Sequence, residues 1–395
     1  MKRILFLISD KHQSYTFLFN IFSKYKKTNI EEYSRYDGYS YFDGNSFIKN
    51  INLEFSFVYK SNTIDILIGD SDNLNNFHKN KNKYDDIILF DSKYDFDKEN
   101  YTSQYRTIFL TIDEIPATVN NIEYSIETQP IKLISSANIN INPKYLYGYF
   151  YEYKLSFLFY YYLLGLYHLP LKHIDVNKRN LLGFYHRVNY KNERDDIVNN
   201  IKNLFENKNN NLIENYSLQY DDFATLIDLK YYVGWQKNHI TSYVDYINSI
   251  CILIFESDSP NEFNHPTEKI VKALLFSKLN IPSILYCNDD LMIQLYKDNF
   301  WFLNFKFINF NEFINSDVTK RVSIIDYSII KSVEFILDLF EQNKNDLQKT
   351  NDSIKELFSD RMQNNYKLFN EVIKDIKIQD DIMDFILDAP SKDLI

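Results

Sequence analysis

The stretch that decides the fold is residues 250–270, ICILIFESDSPNEFNHPTEKI. It begins with an unbroken apolar run, residues 250–255, which predicts a buried strand. Turn-forming residues follow, and Pro266 and Thr267 then suit the first turn and the N-cap of a helix. Residues 281–286, IPSILY, predict the next strand. This order of strand, loop, helix and strand is typical of a parallel α/β sheet.

The helix predicted after Thr267 has one apolar face and a polar first turn. Its apolar positions recur at helical spacing and are Ile270, Val271, Leu274 and Leu275, and Asn280 can end it. A loop that opens onto a helix N-terminus offers free backbone N–H groups and the positive end of the helix dipole, which favour an anion. Lys269 adds a positive charge there, and Glu268 can accept hydrogen bonds from sugar hydroxyls. We therefore expect a site that fits a nucleoside diphosphate with its ribose.

These residues resemble the donor-site signature of the family 10 glycosyltransferases, the α1,3-fucosyltransferase-like enzymes of the two-domain GT-B fold. The resemblance rests on Phe-Glu at 255–256, Thr-Glu-Lys-Ile at 267–270 and Ile-Pro at 281–282. The donor-binding residues predicted in this stretch are Glu256, His265, Thr267, Glu268 and Lys269. The alternative is an ordinary strand–helix crossover whose polar residues only cap the helix.

The N-terminal part of the chain alternates apolar runs with segments that suit helices or loops. The runs that predict strands are residues 3–8, 64–68, 87–90, 107–111 and 131–135. This rhythm is typical of an open α/β domain. The turn after the first run contains no glycine, so it is not the Gly-rich fingerprint of dinucleotide-binding proteins.

Two carboxylates, Asp113 and Glu114, follow the strand predicted at residues 107–111. The carboxyl ends of strands are where α/β proteins build their sites. The segment is similar to the family's Val-Phe-Tyr-Thr-Gly-Glu-Asn segment, whose glutamate is assigned as the general base. Without a gap, Asp113 falls on that glutamate and Glu114 on the asparagine, and Ile112 replaces the glycine. Either acid could therefore be the base, and the alternative is a pair of exposed turn carboxylates.

Arg194 lies where a helix is predicted to start, after a strand at residues 181–185. It matches the family's arginine that contacts the donor diphosphate, and its planar fork of donors suits phosphate. The alternative is a surface arginine that pairs with a neighbouring carboxylate.

The sequence departs from the family's pattern at two places. The family's Ser-Asn pair is absent from the loop before Arg194, and Ser257 replaces the asparagine of its Phe-Glu-Asn triplet. The resemblance therefore leaves the identity of the sugar open.

Asp70 and Asp72 follow the strand at residues 64–68. An Asp-x-Asp triplet after a strand is how GT-A transferases hold Mn²⁺ or Mg²⁺ under a nucleotide sugar, because hard cations prefer carboxylate oxygens. Such a triplet is common by chance in an acidic chain, and a solvated turn is the favoured interpretation. We therefore predict no metal and no cofactor other than the nucleotide sugar itself.

Composition limits the remaining classes of function. The chain has 395 residues, of which 45% are hydrophobic and 17% aromatic, so two domains with large cores are expected. A net charge of −10 argues against nucleic acid as a partner, because phosphate binding needs a basic surface. Cys251 and Cys287 lie in apolar, strand-like contexts and are predicted to be core residues of a cytoplasmic protein.

Residues 145–171 are rich in Tyr, Phe and Leu, and no charged residue lies between Lys154 and Lys172. The uncharged part of this segment, residues 155–171, is shorter than the roughly 20 apolar residues that a membrane span needs. We predict a buried helix near the domain junction. Peripheral membrane association stays open because tyrosine favours interfaces. From residue 332 onward, apolar residues at helical spacing predict C-terminal helices.

The predicted fold class is α/β, with two Rossmann-like domains that face a cleft as in the GT-B type, followed by C-terminal helices. The N-terminal domain, residues 1–150, would bind the acceptor, and an aromatic-rich linker helix would occupy residues 151–178. The donor domain would span residues 179–330, and the C-terminal helices residues 331–395.

The resemblance implies inverting, metal-independent transfer of a sugar from a nucleotide-diphosphate sugar to a hydroxyl of a glycan or glycoconjugate. GDP-fucose is one possible donor. Two alternatives stay open. One is a metal-dependent GT-A-type transferase that uses Asp70 and Asp72, and the other is a non-catalytic protein that binds glycans or nucleotides.

Overall fold

The computed structural model divides the chain into two compact units. The residues that it describes are 1–8, 17–18, 21–22, 25, 52–70, 83–91, 106–111, 131–136, 146–163, 180–184, 192–207, 213–215, 246–256 and 266–388. The first unit contains the described residues up to 163 and those from Asp375 onward. The second contains the described residues from 180 to Lys374. Each unit contains a sheet of its own together with helices, so the protein is a mixed α/β protein.

The first unit contains a seven-stranded sheet in the order β2-β3-β1-β4-β5-β6-β7. Its strands are Lys2–Ile8 (β1), Asn52–Tyr59 (β2), Asn62–Asp70 (β3), Asp86–Asp91 (β4), Arg106–Thr111 (β5), Ile131–Ser135 (β6) and Leu146–Tyr151 (β7). Neighbouring strands are parallel, except that β2 runs antiparallel to β3 at one edge. Aromatic rings fill the core beside β1, where the Phe6 and Phe22 ring centroids are 5.3 Å apart.

The five strands predicted in this unit are confirmed, whereas β2 and β7 were not predicted. β7 and the helix Leu155–Leu163 (α1) together replace the single helix expected over the aromatic run. Nearly every residue of that run is apolar or aromatic, so neither a period of two nor one of 3.6 stands out. None of the helices in the described part of the chain is both long enough and apolar enough to cross a membrane.

The second unit contains a four-stranded, all-parallel sheet in the order β11-β10-β8-β9. Its strands are Asn180–Phe184 (β8), Ile213–Asn215 (β9), Ser249–Phe255 (β10) and Ser283–Tyr286 (β11). β9, the next strand in the chain after β8, pairs with one side of β8, and β10 pairs with the other side. The strand order therefore reverses between β8 and β10. In open α/β sheets, ligands bind at the carboxyl ends of the strands at such a switch point.

Helices follow these strands in the chain. They are Asn192–Asn207 (α2), Glu268–Phe276 (α3), Asp289–Lys297 (α4), Phe310–Ile314 (α5), Val318–Gln342 (α6) and Leu347–Lys374 (α7). Two 3₁₀ helices, Ser277–Leu279 and Leu303–Phe307, lie between them. Residues 303–307 form a 3₁₀ helix, no residue from 299 to 310 is in a strand, and the predicted helices after β8 and β10 are confirmed. The two cysteines are buried, free thiols, as expected of core residues.

Asn304, in the second 3₁₀ helix, covers the edge of β11 with its side chain. Its amide is fully buried, accepts a hydrogen bond from the Leu285 N–H at 3.0 Å and donates one to the Leu285 carbonyl oxygen at 3.0 Å. The side chain thus takes the place of a neighbouring strand at the edge strand β11. Asn365 makes the same pair of contacts with the backbone of Trp301. Sheet edges need such cover because their unpaired N–H and C=O groups otherwise stay exposed.

The last helix, Ile376–Leu387 (α8), belongs to the first unit, where tyrosine hydroxyls hold it. Tyr25 donates to an Asp380 carboxylate oxygen at 2.7 Å, and Tyr59 donates to Asp384 at 2.9 Å. Burial, together with these acidic partners, raises the pKa of both tyrosines above its ordinary value of 10.0. The predicted C-terminal helices are thus present, and the last of them packs on the N-terminal sheet.

A buried lysine holds the C-terminal end of α8. Lys132, on β6, is only 2% exposed and donates to the backbone carbonyl oxygens of Phe385 and Asp388, the latter at 2.6 Å. A cation is favourable there because the last carbonyls of a helix have no partner within the helix. Gly148 on β7 allows this approach, since a Cβ at that position would lie 3.0 Å from the Phe385 ring.

Candidate functional site

Glu256 connects the end of β10 to the start of α3. It is the residue after the strand, is 2% exposed, and its N–H donates to the Tyr286 carbonyl oxygen at 2.9 Å. Its Oε1 accepts hydrogen bonds from the N–H groups of Thr267 at 3.1 Å and Ile270 at 3.2 Å. Its Oε2 accepts a hydrogen bond from the Thr267 hydroxyl. Both carboxylate oxygens therefore bind the first turn of α3.

Thr267 is the N-cap of α3, as predicted, and its Oγ1 accepts a hydrogen bond from the Lys269 N–H at 3.4 Å. Three N–H groups at the helix start are thus in use, those of Thr267, Lys269 and Ile270. The expectation of free N–H groups at these positions was wrong. The physical reason is that a carboxylate from the preceding strand already occupies the place where the helix N-terminus favours an anion.

Glu268 and Lys269 form the accessible part of the first turn. The Lys269 Nζ lies 3.6 Å from Glu268 Oε1, and the two side chains are 20% and 13% exposed respectively. Both can therefore reach solvent or a ligand while they remain held by a short helix. Lys269 offers a positive charge to phosphate oxygens, and Glu268 offers acceptor oxygens to hydroxyl groups.

Lys272 is a charged residue of this site that the sequence argument missed. It is 2% exposed and lies four residues after Glu268, on the same face of α3. Burial lowers the pKa of its ammonium group from 10.5 to about 8. The charges of Glu268 and Glu256 oppose that shift, and the charge of Lys269 adds to it. A signal was present in the sequence, since Lys272 interrupts an otherwise apolar run from Ile270 to Phe276.

Glu256 also has an altered ionisation. Burial raises its pKa above the ordinary value of 4.5, whereas Lys269 and the hydrogen bonds from Thr267 oppose that shift. The site therefore combines two acids, Glu256 and Glu268, with two lysines, Lys269 and Lys272. If all four are ionised, their charges sum to zero.

The other predicted site residues are placed only in part. Arg194 is the third residue of α2, and Asp70 is the last residue of β3, but the side chains of both lie outside the described residues. The remaining ones lie wholly outside the described residues and are Asp72, Asp113, Glu114 and His265. The structure thus brings together Glu256, Thr267, Glu268 and Lys269.

Arg194 belongs to α2, which follows β8 in the chain, as α3 follows β10. β8 and β10 are the neighbouring strands that flank the switch point. Asp113 and Glu114 follow β5 of the other sheet by two and three residues. Within the described residues, no cluster of three or more His, Cys, Asp or Glu side chains is arranged to hold a metal ion.

Comparisons with known proteins found no matching family model and no matching curated protein. Among solved structures, the chain is similar to an α1,3-fucosyltransferase with GDP, with a TM-score of 0.37 and 11% identity, over 96% of this chain and 92% of that one. It is also similar to an α1,3-fucosyltransferase with GDP-fucose, with a TM-score of 0.36 and 10% identity, over 95% of this chain and 92% of that one. A third similar structure is the ligand-free, open form of a substrate-binding protein with adhesive properties from Clostridium difficile. Its TM-score is 0.21 and its identity 11%, over 72% of this chain and 74% of that one. Similarities this weak establish neither a shared fold family nor a shared function.

Proposed function

We propose that this protein is a glycosyltransferase that moves a sugar from a nucleotide-diphosphate sugar to a hydroxyl group of a glycan. The observation that carries the proposal is the first turn of α3. There, Glu268 and Lys269 lie 3.6 Å apart, partly exposed, at the carboxyl end of β10 beside the switch point of the sheet. The resemblance of the same residues to a donor-site signature supports the assignment of a nucleotide sugar to this place.

In this proposal the diphosphate is bound by side chains rather than by helix N–H groups. Lys269 contributes its ammonium, and Arg194 contributes its guanidinium from the start of α2. Glu268 accepts hydrogen bonds from hydroxyls of the ribose or of the sugar. The sequence suggested the same direct role for Glu256, but both of its oxygens bind α3. We therefore assign Glu256 the role of a positioning residue, which holds the turn that carries Lys269.

The proposed reaction is inverting transfer. The acceptor oxygen attacks the anomeric carbon, the bond from that carbon to the diphosphate oxygen breaks, and Asp113 or Glu114 takes the proton of the acceptor hydroxyl. Lys269 and Arg194 stabilise the negative charge that develops on the departing diphosphate. The proposal includes the GT-B arrangement, with the acceptor bound by the first unit, and a reaction without metal. GDP-fucose is the first donor to test.

The first experiment is a thermal-shift screen with GDP, UDP, dTDP and their sugar conjugates. A ligand at about 100 times its Kd stabilises the folded state by about 2.7 kcal/mol, which is readily measured. We expect one nucleoside diphosphate to raise the Tm of the wild type. Lys269→Ala should weaken that binding and reduce transfer by about 10²- to 10³-fold, because one preorganised electrostatic contact is lost. Lys278→Ala, which removes an exposed lysine nine residues later, is the matched control.

If no nucleotide shifts the Tm, or if a folded Lys269→Ala variant binds as well as the wild type, the proposal is wrong. Product formation from the donor that binds then separates the alternatives. Transfer that survives EDTA supports the proposal, whereas transfer that EDTA abolishes and Mn²⁺ restores supports the Asp70 and Asp72 site. Binding without transfer to any acceptor supports a non-catalytic protein.

The general base is tested by two isosteric variants, Asp113→Asn and Glu114→Gln. Adjacent residues rarely point into one site together, so one variant should lose transfer by about 10²- to 10⁴-fold, while donor binding stays within a few-fold of the wild type. Full activity in both variants would show that the base lies elsewhere.

A further inference from the structure

Aromatic rings on the second unit surround the ammonium group of Lys306. The Lys306 Nζ lies 3.9 Å from the ring centroid of Phe335 and 5.7 Å from each of the two other ring centroids around it. Those two rings belong to Phe307 and Phe358. The second 3₁₀ helix, α6 and α7 supply one ring each, so the cation lies where three elements meet. A cation within about 6 Å of a ring centroid is attracted by the negative face of the ring.

A second cation lies farther along the same group of rings. The Arg361 guanidinium carbon is 5.5 Å from the Trp301 ring centroid. The ring centroids of Trp301 and Phe358 are 5.1 Å apart, and those of Phe358 and Phe335 are 5.9 Å apart. The three rings therefore form a continuous row, with Lys306 over one end and Arg361 over the other. We call these residues, together with Phe307 and Leu357, the cation–aromatic patch.

Neither cation of the patch is balanced by an acid in the part of the chain that the structure describes. Lys306 and Arg361 are both exposed, and no described carboxylate forms an ion pair with either of them. Elsewhere on α6 the pattern differs, since the Nζ of Lys331 lies 2.7 Å from Glu334 Oε2. The patch thus keeps local positive charge, although the chain as a whole has a net charge of −10.

Apolar side chains lie beside the two cations. Leu357 is 53% exposed and lies four residues before Arg361, so the two share one face of α7. Phe307 and Phe335 are partly exposed. Lysine and arginine can lay their apolar stems along such a surface while their charged heads reach outward. Basic residues beside Phe and Leu are typical of protein surfaces that lie in the interface of a membrane.

We propose that the cation–aromatic patch docks the protein on an anionic lipid bilayer. This inference goes beyond the proposed function and does not depend on it. Lys306 and Arg361 bind the lipid phosphates, while Leu357 and the partly exposed rings reach the boundary between headgroups and acyl chains. An anionic bilayer repels a chain of net charge −10, so only a face whose cations are not balanced locally can dock. A second copy that used the same patch would oppose like charges, which disfavours a symmetric dimer there.

The test is sedimentation of the full chain with vesicles of phosphatidylcholine, alone or with about 30% phosphatidylglycerol. We expect binding to the anionic vesicles only, at about 0.1 M salt, and its loss at about 1 M salt, which screens the charges. Each cation near an anionic surface contributes about fivefold in affinity, so the double variant Lys306→Gln and Arg361→Gln should bind about 25-fold more weakly. Leu357→Gln keeps both cations and should bind about tenfold more weakly, because it removes the apolar contact.

Lys320→Gln is the matched control, because it removes an exposed lysine of α6 that is already paired with Glu312 at 2.7 Å. It should bind vesicles as the wild type does. The lipid and salt dependence of the wild type keeps the proposal falsifiable if a variant fails to fold.

A wild type that does not bind anionic vesicles, or that binds pure phosphatidylcholine equally well, would overturn the proposal. A folded double variant that binds as the wild type does would also overturn it, because the membrane contact would then lie elsewhere in the chain. A wild-type dimer in the absence of lipid that Leu357→Gln disperses would show instead that a second copy covers the patch. Each of these results leaves the proposed function standing.

Discussion

Glu256 is predicted to stabilise the second unit by capping α3 from the preceding strand. Its carboxylate accepts hydrogen bonds from the Thr267 N–H, the Thr267 hydroxyl and the Ile270 N–H. Glu256→Ala leaves three donors without this acceptor. A buried donor that loses its partner costs about 1–3 kcal/mol. Water can enter beside the partly exposed Glu268 and Lys269, so we take the lower value of about 1 kcal/mol for each of the three donors. The expected cost of Glu256→Ala is therefore about 3 kcal/mol in total.

Glu256→Gln is the matched variant. The amide keeps the shape of the side chain, its oxygen can still accept from the two N–H groups, and its NH₂ can donate to the Thr267 hydroxyl oxygen. The losses are then the charge, which interacts with the helix dipole, and the acceptor of the Thr267 hydroxyl proton, and we expect a cost of about 1 kcal/mol. Thr267→Val should fall between the two variants, because it removes the cap hydroxyl and leaves both N–H groups bonded to Glu256.

The assay is thermal and urea unfolding without ligand. For a unit of this size, about 1 kcal/mol corresponds to roughly 2–4 °C in Tm, so Glu256→Ala should lower the Tm by roughly 6–12 °C. A Glu256→Ala variant that unfolds within about 1 °C of the wild type would refute the capping argument. A Glu256→Gln variant with wild-type stability that no longer binds nucleotide would show instead that this carboxylate contacts the ligand directly.

Three further predictions concern the framework. Asn304→Ala should cost about 2–4 kcal/mol in urea unfolding, because the N–H and carbonyl of Leu285 both lose their partner at a buried sheet edge. Lys132→Met should make the C-terminal helix more sensitive to limited proteolysis, because two terminal carbonyls of α8 lose a buried donor. The raised pKa of Tyr25 and Tyr59 adds stability that is fully present below pH 10 and is lost at higher pH, where only the unfolded state readily loses these protons. The double Tyr→Phe variant should therefore show a smaller fall in the urea midpoint between pH 9 and pH 11.

The sequence was most informative where an element buries an apolar run. Residues 250–255 predict β10 because a central parallel strand is buried on both faces, and all seven residues of Ser249–Phe255 are buried. Thr267 was predictable as an N-cap because only a few side chains can accept from the first turn. Asn280 was predictable as a terminator, and it adopts the left-handed conformation with φ of 55°.

The partners of polar side chains could not be predicted in the same way. Hydrophobic periodicity indicates which face is buried, but it does not say where a carboxylate between a strand and a loop will turn. Glu256 turns inward to α3, and Asn304 turns to the edge of β11. Both contacts join residues 11 or more positions apart, so they depend on the tertiary fold. Lys272 was missed because a lysine in an amphipathic helix is ordinarily assigned to the exposed face.

The internal cap changes how an anionic ligand can be held at α3. A helix N-terminus attracts one anion strongly, and here Glu256 supplies it, so the backbone cannot contribute the same donors to a diphosphate. The attraction must then come from cationic side chains, and it must act within a chain whose net charge is −10. Because Glu256 and Thr267 hold the backbone of residues 267–270, the turn that carries Lys269 is already ordered before any ligand arrives, so no backbone entropy has to be lost there on binding. In the proposed donor site, the buried carboxylate would therefore support binding indirectly, by holding the turn from which Lys269 reaches the diphosphate.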